Sequence, residues 1–145
     1  MDTVALRYAE ALFALAKEEN AIKQYQKDME AVEAVFHDKN ILQFFSHVAI
    51  QDEDKYQVLK QSFHGKIQTY VYQFLLLLIK KRRIQCVLLI CQQFQQLCYD
   101  ALGIQVGKVW SAYELTEDQI KKIQDALSTQ LNKQVLLKQQ VDTQL

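Results

Sequence analysis

The sequence predicts a mainly α-helical protein that ends in a small α/β domain. Its 145 residues contain no proline and only three glycines, and these two residue types interrupt helices most strongly. Apolar residues recur at intervals of three and four up to about Leu102, which is the period of an amphipathic helix. After Gly103 the pattern changes to β-branched and aromatic residues, which favour strands. We therefore predict a six-helix N-terminal bundle over residues 1–104 and a partial α/β domain over residues 105–145.

Four helical segments are predicted before the centre of the chain. Asp2 and Thr3 are suitable caps for the first, whose alanines on one side allow another helix to approach closely. The second and third follow after Asn20, and acidic residues at the start of the fourth suit the positive end of a helix dipole. The predicted apolar faces are Ala5, Tyr8, Ala9, Leu12, Leu15 and Ala16; Ile22, Tyr25, Met29, Val32 and Phe36; Ile41, Leu42, Phe44 and Phe45; and Tyr56, Leu59 and Phe63.

The most apolar stretch, Tyr70 to Tyr99, predicts a central pair of helices. Its first part, Tyr70 to Ile79, is apolar at every position except Gln73, so we expect a helix with almost no side that faces water. The second part is amphipathic, with glutamines on its outer surface. Neither part spans a bilayer, because a span needs roughly 20 largely apolar residues and the cations of Lys80 to Arg83 separate the two apolar runs. We also expect no targeting peptide and a soluble chain.

The cations of Lys80 to Arg83 can be interpreted in two ways. They lie where the first central helix should end, so they complement the negative end of its dipole. Contact with phosphates is the alternative, and it is disfavoured because no aromatic residues are interleaved with a basic surface here. We therefore assign this cluster a structural role.

The residues after Gly103 predict a strand, a helix and a second strand. Val106 to Ala112 is typical of a strand. Thr116 and Gln119 form a capping box that opens a helix running to about Asn132, and Val135 to Val141 is typical of a second strand. A helical crossover of this length permits parallel pairing of the two strands.

Composition and residue placement argue against most kinds of functional site. The 17 basic residues equal the 17 acidic residues in number, so no bulk attraction to nucleic acid or anionic lipid is expected. Cys86, Cys91 and Cys98 lie on one predicted helix, which favours reduced core thiols over a metal site. The three histidines lie in separate segments without a pattern that would assemble a catalytic site. We expect no catalytic residues, no metal and no cofactor.

Short motifs recur in a fixed order along almost the whole chain. They are Arg7 to Phe13; Phe74-Leu75 with Leu78 and Arg83-Ile84; Phe94 with Leu97 and Gly103-Ile104; Val109 with Ser111-Ala112 and Leu115-Thr116; and Val141-Asp142 with Leu145. This ordered set resembles the delta subunit of F-type ATP synthases, whose mitochondrial counterpart is the oligomycin-sensitivity-conferring protein. Some members have glycine where this chain has Arg82. The family normally continues past the final leucine with a glycine pair and more strand, so the resemblance implies that the C-terminal domain is truncated.

The resemblance implies a non-catalytic stator component that links the catalytic head to the peripheral stalk and so couples proton flow to ATP synthesis. The helical bundle would hold an N-terminal helix of an alpha subunit, and the C-terminal domain would bind the b subunits. The protein would lie on the cytoplasmic face of a bacterial cell membrane, as a peripheral part of the complex without membrane insertion. In the family the alpha helix lies between the first and fifth helices. The corresponding residues here are Tyr8, Leu12, Phe74, Leu75 and Leu78, which would otherwise be assigned to the core.

Two other classes of function stay open on the sequence alone. A helical adaptor of another multisubunit complex would share the amphipathic helices but would not bind an ATP synthase alpha subunit. A small enzyme would need a convergent polar pocket, and no set of residues in the sequence predicts one.

Overall fold

The computed structural model describes residues 2–111, 113–131 and 134–141. Within these ranges the chain is mainly helical and has a two-stranded sheet near its C-terminal end, which confirms the predicted class. The chain divides into two compact units, residues 1–98 and 99–145. The assignment of separate functions to residues 1–104 and 105–145 stays a prediction.

Helices make up the first unit. They are α1 (Asp2–Glu18), α2 (Ile22–Phe36), α3 (Lys39–Ser46), α4 (Asp52–Phe63), α5 (Thr69–Lys80) and α6 (Val87–Leu102), and a 3-10 turn, Ile84–Cys86, precedes α6. The last four residues of α6 belong to the second unit. Asp2 is the first residue of α1, so Thr3 lies in the first turn rather than before the helix. The side chain of Asp2, and with it the predicted cap, lies outside the described part of the chain.

Close packing of α1 follows from its small residues. Ala5, Ala9 and Ala16 have no exposed surface, as the sequence predicted, and they let neighbouring side chains approach the backbone of the helix. Phe13 contacts Phe94 of α6 edge to face, with ring centroids 6.2 Å apart. The aromatic pair adds a directional contact to the burial of apolar area, and it fixes α1 against α6.

The helix α5 has one side that faces solvent, so this chain alone does not provide the cover that was expected on almost every side. Val71, Leu75 and Leu78 have no exposed surface. Tyr70 and Leu77 on the other side are 46% and 41% exposed. The rest of the unit therefore covers only part of the apolar surface of this helix.

A buried carboxylate fixes the start of α5. Asp28 of α2 is 4% exposed, and its Oδ2 accepts a hydrogen bond from the backbone N–H of Gln68 at 2.8 Å. Gln24 donates to Oδ1 from its side-chain amide at 3.3 Å. Gln68 is the residue that precedes α5, and its own side chain does not cap the helix. A negative charge at this end is favourable for the helix dipole, so Asp28 caps α5 from a different helix.

The second unit contains β1 (Ile104–Ser111), α7 (Glu117–Leu131) and β2 (Gln134–Val141). The strands pair in parallel with Ile104 opposite Gln134, which confirms the predicted crossover.

The capping box before α7 is also confirmed. Thr116 donates its backbone N–H to Gln119 Oε1 at 2.9 Å, and Gln119 donates its own to Thr116 Oγ1 at 3.2 Å. The predicted strand end at Ala112, the helix end at Asn132 and the truncation after Leu145 lie outside the described residues.

Two core thiols of α6 have altered acidity. Cys91 and Cys98 have no exposed surface, as predicted for core cysteines. Burial raises the pKa of each thiol from 9.0 to about 12, with a smaller contribution from acidic side chains of α2. The unfolded chain ionises these thiols near their usual pKa. Between about pH 9 and pH 12 the unfolded state therefore binds fewer protons than the folded state, and folding stability falls as pH rises.

We expect the free energy of unfolding to fall above about pH 9, by up to about 1.4 kcal/mol per pH unit for each thiol. Urea unfolding at a series of pH values measures it. In the variant Cys91→Ala/Cys98→Ala, the fall in stability that begins near pH 9 should disappear. A fall at higher pH should persist, because burial also raises the pKa of Tyr25, to about 12, and this tyrosine ionises at a lower pH in the unfolded chain. An unchanged slope in the variant would contradict the assignment to the thiols.

Candidate functional site

An aromatic contact joins α1 to α5. Tyr8 and Phe74 pack edge to face, with ring centroids 6.1 Å apart and ring planes at 70°. Tyr8 is half-buried and Phe74 is 8% exposed, so the contact lies at the edge of the core. Two of the five residues predicted from the resemblance are thus brought together.

The other three predicted residues lie beneath this contact. Leu12, Leu75 and Leu78 have no exposed surface, and all three belong to the core of the first unit. They support the surface from inside and present no atoms to solvent. Their assignment to partner binding stays a prediction.

Apolar residues flank the aromatic contact symmetrically on its outer side. Val4 and Ala11 lie four residues before and three residues after Tyr8, and Tyr70 and Leu77 hold the same positions around Phe74. Residues at these spacings share one side of a helix. Ala11, Tyr70 and Leu77 are exposed and Val4 is half-buried. We call this surface the α1–α5 seam, and it consists of Val4, Tyr8, Ala11, Tyr70, Phe74 and Leu77.

Polar residues border the α1–α5 seam. Arg7 directly precedes Tyr8, Gln73 directly precedes Phe74, and both side chains are exposed. No charged residue belongs to the seam itself. An apolar centre with a polar rim is the usual anatomy of a protein-binding surface, so this arrangement is suited to binding rather than to proton or group transfer.

Reasoning from the sequence missed four seam residues. The resemblance indicated the most apolar positions of the first and fifth helices, and several of those are the ones that face the core. Tyr70 and Leu77 could have been predicted from their helical spacing around Phe74. A partner can reach only side chains on the outer side of the aromatic contact.

No metal-binding arrangement appears elsewhere in the ranges that the structure describes. Within them, no three histidine, cysteine, aspartate or glutamate side chains converge on a common point. Within the same ranges, no helix is long and apolar enough to cross a bilayer.

Comparisons with known proteins agree with one another. Residues 4–145 match the family described as the ATP synthase delta (OSCP) subunit. The subunit named ATP synthase subunit delta of Halalkalibacterium halodurans is 32% identical over 135 residues, which are 92% of this chain and 74% of that protein. The subunit of the same name from Symbiobacterium thermophilum is 33% identical over 143 residues, which are 98% and 77% of the two chains.

A solved structure has a similar fold. It is a chain of the Toxoplasma gondii mitochondrial ATP synthase hexamer, determined by cryo-electron microscopy. The TM-score is 0.72 and the sequence identity 25%, and the match covers 95% of this chain and 78% of that one.

Two adjacent leucines of α5 test the division between the core and the seam. Leu78→Ala should lower the free energy of unfolding by about 2–5 kcal/mol, because it opens a cavity in a packed interior. Leu77→Ala should lower it by less than Leu78→Ala does, by about 1 kcal/mol, because Leu77 is already 41% exposed in the folded chain. Chemical denaturation followed by circular dichroism measures both. Equal losses for the two variants would show that Leu77 is a core residue, and the seam would then be wrongly placed.

Proposed function

The chain belongs to the ATP synthase delta (OSCP) subunit family, and from this premise we infer that it is a non-catalytic stator component of an F-type ATP synthase. A stator resists torque: it prevents the catalytic head from turning with the rotor, and it touches no substrate. This role needs stable contacts with neighbouring subunits and no reactive groups. The polar-rimmed apolar surface of the α1–α5 seam is the observation that supports such a binding role.

We propose that helices α1 to α6 act as one bundle and that the α1–α5 seam binds an N-terminal helix of an alpha subunit. The end residues of each half of the seam, Val4 and Ala11 or Tyr70 and Leu77, lie seven positions apart. Seven positions along a helix correspond to a length of about 10 Å, or two turns. An amphipathic helix presents apolar anchors at this repeat when it lies in a groove between two helices. The exposed apolar area of α5 would then be covered by the partner.

We propose that the second unit binds the b subunits of the peripheral stalk. Trp110 of β1 is 59% exposed, Tyr113 is 67% exposed, and Val141 at the end of β2 is 49% exposed. Exposed aromatic residues are enriched where proteins bind other proteins. With both contacts the protein would be held at the cytoplasmic face of a bacterial membrane as a peripheral subunit.

A synthetic alpha-subunit N-terminal helix should bind the chain with saturable affinity. Tyr8→Ala and Leu77→Ala should each weaken binding by about 2 kcal/mol, as expected for apolar anchors at the centre of an interface. Titration calorimetry measures the affinity, and circular dichroism verifies folding. Val58→Ala is the matched control, because Val58 is a partly exposed apolar residue of α4. The seam assignment fails if a folded chain gives no binding heat, or if the control weakens binding as much as Leu77→Ala does.

Removal of this subunit should uncouple proton transport from ATP hydrolysis. In inverted membrane vesicles depleted of the protein, we expect ATP-driven proton pumping to be lost, because the head then turns with the rotor. ATP hydrolysis by the head should continue, since this chain contributes no catalytic group. A fluorescent pH indicator follows pumping, and phosphate release follows hydrolysis. Loss of hydrolysis by the released head would show that the chain takes part in catalysis, against the stator role.

A further inference from the structure

A second feature of the first unit has no part in the stator role described above. A pocket of about 190 Å³ lies between the end of α3, the first turn of α4, the end of α5 and the 3-10 turn. Phe45 and Ile79 are among its apolar lining residues, and its polar lining residues are Ser46, Lys55, Arg82 and Gln85.

Lys55 is an unusual residue to find in such a pocket. It is only 3% exposed, and within the described residues it forms neither a salt bridge nor a side-chain hydrogen bond. The stem of this side chain is buried, while its Nζ keeps contact with solvent in the pocket. An ammonium group that faces a small pocket without a counter-charge is the first indication that an anion binds here.

Ser46 supplies a second group without a partner. Its Oγ is buried and makes no hydrogen bond, although buried hydroxyl groups normally do. It lines the same pocket as Lys55. A hydroxyl group and an ammonium group in one small pocket can both donate hydrogen bonds to the same oxoanion.

Arg82 supplies a third donor. Its φ is +59° because it ends α5: its backbone N–H donates to the Ile79 carbonyl at 3.1 Å, and that of Arg83 donates to the Leu78 carbonyl at 2.8 Å. These are the usual hydrogen bonds of a helix that ends in a left-handed residue. The side chain of Arg82 is 60% exposed, and Nη1 lies 3.9 Å from Oδ1 of Asp52. Asp52 partly offsets the charge of Arg82, although its Oδ1 accepts no hydrogen bond, and Lys55 takes part in neither salt bridge of the described residues.

We propose that this pocket binds a phosphate-sized oxoanion, with Lys55 and Ser46 holding it in the interior and Arg82 at the mouth. The volume suits a small tetrahedral anion with a few waters, because one water takes about 30 Å³ of liquid volume. Arginine and lysine are the residues that proteins use to bind phosphate groups. The phosphate comes from one of two sources, free inorganic phosphate or the terminal phosphate of a nucleotide.

Titration of the whole chain with inorganic phosphate, and separately with ATP, tests the proposal at low ionic strength. We expect saturable binding of at least one of them in calorimetry, together with a rise in melting temperature, because a ligand that binds only the folded state stabilises it. Lys55→Met should weaken binding by roughly tenfold or more, since it removes a charge-assisted hydrogen bond. The variant should stay folded, because methionine replaces the buried stem of the lysine with an apolar chain of similar length.

Matched variants separate the pocket from general surface charge. Lys60→Met removes a lysine from the exposed side of the same helix, and it should leave phosphate binding unchanged. Arg82→Gly should weaken binding without lowering the melting temperature of the unliganded chain, because glycine adopts a positive φ freely. Whichever ligand binds in a Lys55-dependent way identifies the source of the phosphate.

Three results would overturn the proposal. They are the absence of saturable binding of both ligands to the folded chain, an equal loss of affinity in Lys55→Met and Lys60→Met, and binding that Lys55→Met leaves intact.

Discussion

The apolar excess of α5 is the constraint on which the rest of the first unit depends. Ten of the twelve residues of this helix, from Tyr70 to Ile79, include only one polar side chain, and burial of that apolar surface is favourable in water. The rest of the unit covers Val71, Leu75 and Leu78 completely. The apolar side chains of α5 that stay most exposed, Tyr70 and Leu77, share a side of the helix with Phe74, which contacts Tyr8 of α1. The same property that organises the core therefore creates the surface available to a partner.

The position of α5 matters more than its composition, because a binding surface made of two helices keeps its shape only if both are fixed. The contact between Tyr8 and Phe74 holds the two helices at the seam. Asp28 fixes the start of α5 through the backbone of Gln68. Loss of a buried carboxylate that accepts two hydrogen bonds leaves the two donors without partners. The free-energy penalty of the unpaired donors is larger than the net free energy that the bonds contribute to stability. Asp28 is thus a positioning residue for the seam although it lies outside it.

Local sequence signals predicted the elements well and the exposure of single residues poorly. The capping box at Thr116 and the parallel strands follow from short patterns, because both depend on residues close together in the sequence or on one crossover length. Exposure depends on which neighbours cover a helix, and no local pattern contains that information. Leu77 and Leu78 are adjacent and chemically identical, yet one is 41% exposed and the other has no exposed surface. The resemblance indicated α1 and α5, which are in contact through Tyr8 and Phe74, and only the structure shows which residues of this pair are exposed.

The basic cluster after α5 shows how a structure can divide one sequence feature into two roles. Lys80 lies in the last turn of α5, where a cation complements the helix dipole. Arg82 takes a left-handed backbone conformation two residues later and lines the pocket that contains Lys55. From the sequence, dipole compensation and phosphate contact are competing explanations of one run of charges. In the folded chain, dipole compensation belongs to Lys80 and the proposed phosphate contact would belong to Arg82, because the helix ends between them and only Arg82 lines the pocket.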